Sequence, residues 1–167
     1  MKRYIHYGSD KFDPERFMPV DDSYFDNYNP IMDINKPHHG VGLWASPVSC
    51  YISWKEWCEN EDFHTERLQS HFEFTLKPEA KVLTIKCLND IEPYTNTIAA
   101  LKSHDYKGII TPWDYKRLAI DFKAIFDKFD AMELVHSPKT YMELHDGLFN
   151  AWDVDSIIIW NKEVISV

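Results

Sequence analysis

The chain has 167 residues, 44% of them hydrophobic and 15% aromatic, with a formal net charge of −9. That apolar content suffices for one core in a single domain spanning residues 1–167 and excludes a disordered chain. The acidic balance gives no general attraction to phosphate backbones and argues against a dedicated nucleic-acid binder, while leaving room for a local basic groove.

The opening Met1-Lys2-Arg3-Tyr4-Ile5-His6 lacks the apolar run of a signal peptide. No later stretch has the length and apolarity of a membrane span, so a cytoplasmic setting is expected. Tyr4, Ile5 and Tyr7 predict a first strand ended by Gly8-Ser9-Asp10. Residues 11–40 are rich in Asp, Asn, Pro and Tyr with little periodicity. They read as a binding loop or lid, with room for a short helix between Pro14 and Met18. Val41 to Ala45 predicts a strand. Ser53-x-x-Glu56 has the form of a capping box, and Trp54, Trp57 and Cys58 follow at helical spacing. The three cysteines, Cys50, Cys58 and Cys87, form no Cys-x-x-Cys pair, which argues against a disulfide framework or a zinc ribbon.

Alternation of Phe72, Phe74 and Leu76 with polar neighbours predicts a half-buried strand, and Val82 to Ile85 a second one. Asn89 to Leu101 reads as partly helical, limited by Pro93. Thr111-Pro112 has the form of a helix start, and the stripe Tyr115, Leu118, Phe122, Ile125, Phe126 and Phe129 predicts a helix behind it. Ala131 to Val135 predicts a strand and Ser137-Pro138 a further helical stretch. The apolar run Ser156 to Trp160 suits a strand buried on both faces. The expected class is α+β with mostly antiparallel strands.

Three segments stand out for their chemistry: Ile5-His6-Tyr7-Gly8-Ser9, then Gly42-Leu43-Trp44-Ala45-Ser46-Pro47 with aromatics at Tyr51, Trp54 and Trp57, and last Val154-Asp155-Ser156-Ile157-Ile158-Ile159-Trp160. In that order they resemble the three motifs of ADP-ribosyltransferases of the diphtheria-toxin and poly(ADP-ribose) polymerase type. The resemblance implies a fold of two packed, mostly antiparallel sheets with flanking short helices. It also implies NAD as the substrate and no metal. By the same resemblance Asp155 stabilises the oxocarbenium-like ribose, and His6 bonds the adenosine ribose. The backbone at Tyr7 clamps the nicotinamide amide, Trp44 with Tyr51, Trp54 or Trp57 sandwiches its ring, and Gly8, Ser9, Gly42, Leu43 and Ser46 complete the binding set. The catalytic set is then Asp155, His6 and Trp44.

The chain departs from the family pattern at three of these positions. Tyr7 stands where the family has glycine, Trp44 where it has tyrosine, and Asp155 where it has glutamate. The last change shortens the reach by one methylene, which bears on catalytic geometry more than on binding. The same residues also have structural readings. His6 suits a hydrogen-bonded histidine of the core, the tryptophans suit packing, and Asp155 suits a solvated strand entry whose place Asp153 shares. Glu133, inside an apolar strand, is a rival acid, read here as facing outward. His38-His39 lacks partners at metal-ligand spacing and reads as an exposed approach to Gly40 and Gly42.

The function implied is mono-ADP-ribosylation of a protein or other macromolecular acceptor with release of nicotinamide. Intracellular roles as a toxin, a phage-encoded modifier or an anti-defence protein fit it, and a nucleic-acid acceptor is disfavoured by charge. On this reading Asp155→Asn removes nicotinamide release and spares folding. One rival is an RNA 2′-phosphotransferase, which needs clustered cations, whereas Arg3, Arg16, Arg67 and Arg117 are scattered. The other is a non-catalytic NAD- or protein-binding module of the same fold.

Overall fold

Ile157, Ile158 and Ile159 are all fully buried, as an uninterrupted apolar run requires when neighbours cover both faces of its strand. This strand is the axis of the structure. The computed structural model describes residues 1–20, 41–97, 118–145, 148–149 and 152–167. Its strands are β1 (Arg3–Tyr7), β2 (Leu43–Pro47), β3 (His71–Leu76), β4 (Val82–Ile85), β5 (Thr95–Thr97), β6 (Leu118–Ile120), β7 (Ala131–Leu134), β8 (Ser156–Ile159) and β9 (Ile165–Ser166). Its helices are α1 (Trp54–Glu61), α2 (Leu88–Ile91), α3 (Phe122–Phe126) and α4 (Tyr141–His145).

Seven strands form one sheet in the order β4-β7-β8-β2-β1-β3-β9, and β5 pairs with β6 separately. Neighbours run antiparallel except β4 and β7, which are parallel. The α+β class stands, with one large sheet that curls and a small two-stranded one. Tyr4 on β1 and Glu133 on β7 lie three strands apart in this order, about 14 Å across a flat sheet. Lys2, next to β1, nevertheless pairs with Glu133, and the Tyr4 phenol lies within electrostatic reach of that carboxylate. Tyr4, Ala45, Phe74, Ala131, Ile157 and Ile165, from six strands, share one apolar cluster in the hollow of the curl. The outer face packs a second cluster, with Ile158, Met132 and Leu134 meeting Phe122 and Ile125 of α3 and Leu144 of α4.

Local chemistry accounts for most element ends. Ser53 and Glu56 close a reciprocal capping box at the start of α1, which satisfies amides that the first turn leaves unpaired. Gly42 has φ +66°, and a β-carbon there would lie 2.5 Å from the Ile159 carbonyl oxygen. Only glycine allows β2 to approach β8 so closely.

Two expectations change. The helix predicted from Tyr115 to Phe129 is, where described, a strand and a short helix: β6 pairs with β5, and the Asp121 side chain caps α3 at the Ala124 amide. Its apolar stripe serves two elements, because Asp121 offers a fresh cap in the middle of it. The helix considered between Pro14 and Met18 is a turn closed by Arg16 N–H to the Asp13 carbonyl. The stretch from Asn89 is partly helical as expected, as far as Tyr94, where β5 follows; residues 98–101 lie outside the described residues. Thr111, Pro112, Tyr115, His38, His39 and Gly40 lie outside the described residues.

Candidate functional site

The three motif segments, remote in sequence, lie side by side. β2 pairs with β1 through Ile5↔Ser46 and with β8 through Ala45↔Ile157. The loop after β2 is bound to the entry of β8. Asp155, fully buried, accepts the Tyr51 amide at 2.7 Å and the Ile52 amide at 3.0 Å on Oδ2. Its Oδ1 accepts the His136 amide from beyond the end of β7, and its own N–H donates to the Ile52 carbonyl at 2.9 Å. Burial alone would raise the pKa of this carboxyl. The His136 ring and the amides of His136, Ile52 and Tyr51 outweigh burial and hold it below its usual value. Asp155 is therefore a charged clasp on three chain segments rather than the solvated strand entry its sequence position suggests.

That bonding corrects the expectation for Asp155→Asn. An amide cannot accept on both sides as a carboxylate does, so the substitution strikes folding as well as any chemistry.

His6 and Trp44 face opposite sides of the sheet. His6 shares the parity of Tyr4, and its ring lies 5.2 Å from that of Phe72 in the hollow. Its Nδ1 lies 2.6 Å from the Trp44 carbonyl oxygen and donates to it. Burial lowers the His6 pKa more than this bond raises it, so the ring is neutral near pH 7. Trp44 projects from the outer face, its ring 4.8 Å from Trp152. Trp54 and Trp57 stack on each other at 5.1 Å with Phe63 at their edge. None of these contacts puts Trp44 opposite Trp54 or Trp57.

The remaining residues of the set divide similarly. Leu43 is core. Ser46 is buried and its Oγ accepts the Trp54 amide, which fixes the start of α1 on β2. Gly8 donates to the Ser70 carbonyl, and Ser9 turns back on Lys11. Burial raises the phenol of Tyr7, and the charges of Glu59, Cys50, Glu73 and Glu56 add to it, so Tyr7 sits within electrostatic reach of α1.

Tyr51 opens on a cavity of about 540 Å³, lined by Tyr51, Ile52, Glu56, Glu59, Asn60 and Tyr141. Tyr51 and Tyr141 meet edge to face at 6.3 Å. Burial raises the Tyr141 phenol, and the charge of nearby Asp153 raises it further. Two carboxylates, Glu56 and Glu59, thus line the cleft with this aromatic pair, and Asp153 lies within electrostatic reach of Tyr141, an arrangement that favours a flat cation. Asp155 lies behind the wall of this cleft, joined to it through the amides of Tyr51 and Ile52.

Glu133 does not face outward. It is 3% exposed in the hollow, with Lys2 Nζ 2.5 Å from its Oε1 and the Tyr4 hydroxyl beside it. The sheet curl converts an apparently outward strand position into an enclosed one. Sequence reasoning also passed over His136 and Tyr141, which meet Asp155 and Tyr51 only through the fold. The one available signal was His136 directly after an apolar strand. Among the described residues no cluster of His, Cys, Asp and Glu could hold a metal ion. No helix among them is long and apolar enough to cross a membrane. Compared with known proteins, the chain matches no family model, no curated protein and no solved structure.

Proposed function

We propose that the chain is an NAD-dependent mono-ADP-ribosyltransferase that seats nicotinamide in the Tyr51–Tyr141 cleft and passes ADP-ribose to a protein acceptor. The observation that carries this reading is the adjacency of β1, β2 and β8, with the loop after β2 hydrogen-bonded to Asp155 at the entry of β8. Segments that share a motif order with these enzymes are neighbours in one sheet. The cleft beside them is acidic and aromatic, which suits the cationic nicotinamide ring.

In this reading the ring lies against Tyr51 and Tyr141 rather than Trp44. Asp153 supplies negative charge to the ribose as the glycosidic bond opens, and Asp155 holds the cleft wall in place. The test titrates NAD into wild type, Tyr51→Ala and Asp153→Asn, then measures nicotinamide release and label transfer from NAD to proteins of a lysate. Tyr51→Ala weakens NAD binding by roughly tenfold, the worth of one aromatic contact. Asp153→Asn lowers nicotinamide release by about 10² while NAD affinity stays within about twofold. Wild-type protein that neither binds NAD nor releases nicotinamide defeats the proposal.

One observation favours a second reading, a module that binds NAD without turnover. The motif carboxylate, Asp155, is already occupied by backbone amides. NAD binding with no nicotinamide release by wild type identifies that case.

A further inference from the structure

We infer that His136, oriented by Asp155, is the group that takes the proton from the acceptor nucleophile, an inference that rests on the reaction proposed above. His136 is 3% exposed, and both of its ring nitrogens lack a hydrogen-bond partner. Buried imidazoles normally satisfy at least one nitrogen, and an unsatisfied one calls for a reason. Nδ1 lies 3.3 Å from Asp155 Oδ1, at ion-pair distance but off the line of a good hydrogen bond. A carboxylate there favours the tautomer with the proton on Nδ1. Nε2, on the ring edge away from Asp155, then keeps a free lone pair, as a base requires.

The position suits the task. The His136 ring lies 5.1 Å from Tyr141, and Tyr141 in turn meets Tyr51 across the cleft. Tyr141, which lines the cleft, thus connects the imidazole to it. Asp155 is a positioning residue here, its carboxylate fixed by the amides of Tyr51, Ile52 and His136 itself.

The step balances as follows. The bond from ribose C1′ to the nicotinamide nitrogen breaks, and its electron pair leaves with neutral nicotinamide. The lone pair of the acceptor X–H forms the new bond to C1′. The proton of X–H moves to His136 Nε2 and then to solvent. No oxidant or further reactant is needed.

The experiment compares wild type with His136→Asn, whose side-chain amide reaches the Nδ1 position and preserves the contact with Asp155. Steady-state transfer of labelled ADP-ribose to lysate protein is measured over a range of NAD, beside the thermal midpoint of each protein. Expected is a fall in kcat of about 10² to 10⁴, with KM for NAD within about twofold. Long-range ¹H–¹⁵N spectra of wild type supply a second, activity-independent readout, with the Nδ1-protonated neutral tautomer expected for His136. Equal kcat in His136→Asn, or a proton resident on Nε2, overturns the inference and leaves the proposed reaction standing. Wild type that neither binds NAD nor releases nicotinamide overturns the reaction and the role of His136 within it.

Discussion

Replacing Asp155 by asparagine exchanges one carboxylate oxygen for an NH₂ group at a site where every neighbour donates. The Tyr51 and Ile52 amides point at Oδ2, and the His136 amide points at Oδ1. The better orientation turns the asparagine oxygen toward Tyr51 and Ile52, which sets NH₂ against the His136 N–H. One backbone donor and one side-chain amide then lose their partners in a fully buried place. At about 1–3 kcal/mol for each buried unsatisfied group, the cost is about 2–6 kcal/mol. Asp155→Ala abandons all three amides and adds a cavity, so its cost is larger. For a domain of this size, about 2–6 kcal/mol lowers Tm by roughly 4–24 °C.

The assay is urea unfolding followed by far-UV circular dichroism at several pH values. The folded-state pKa of Asp155 is depressed, so the unfolded chain binds more protons between the folded pKa and the ordinary carboxylate value of about 3.9. The stabilisation is fully present above that value and is lost as pH falls through the folded pKa. The gap between wild type and Asp155→Asn is therefore full at pH 7 and closes in strong acid. Equal midpoints at pH 7, within about 0.5 kcal/mol, would refute the claim that this carboxylate holds the three segments together.

Two further outcomes are expected. Gly42→Ala combines a left-handed backbone with a β-carbon 2.5 Å from the Ile159 carbonyl, so it destabilises by at least about 2 kcal/mol; an unchanged unfolding midpoint contradicts the close approach of β2 and β8. Burial first, and then the charges of Asp155 and Glu56, push the Cys50 thiol up to about 11, against a smaller opposing effect of Lys2. At pH 8 its reaction with a thiol reagent should run about two orders of magnitude slower than that of an unperturbed cysteine, and labelling at the rate of a free thiol contradicts this environment.

Short-range chemistry was readable in the residues themselves. Ser53 and Glu56 marked the start of α1, the alternation of Phe72 and Phe74 marked β3, and the run from Ile157 to Ile159 announced a strand covered on both sides. These signals are local, because a cap or a strand period involves residues within a few positions of each other. The stripe from Tyr115 to Phe129 misled for the same reason. Helical spacing of apolar residues persists when a strand and a short helix both bury their side chains in one core, and the pairing of β6 with β5 overrode it.

The candidate site divides along the same line. Sequence alone determined the order of the three motif segments, the aromatic content after Gly42 and an acidic residue before the last long strand. Tertiary structure decided which faces and partners those residues have. It turned His6 and Trp44 to opposite sides of the sheet, enclosed Glu133 with Lys2 and Tyr4, and brought His136 to Asp155 across 19 positions. Parity along a strand is fixed by the chain. Which face curls inward, and which distant amide finds a buried carboxylate, depends on seven strands packing together.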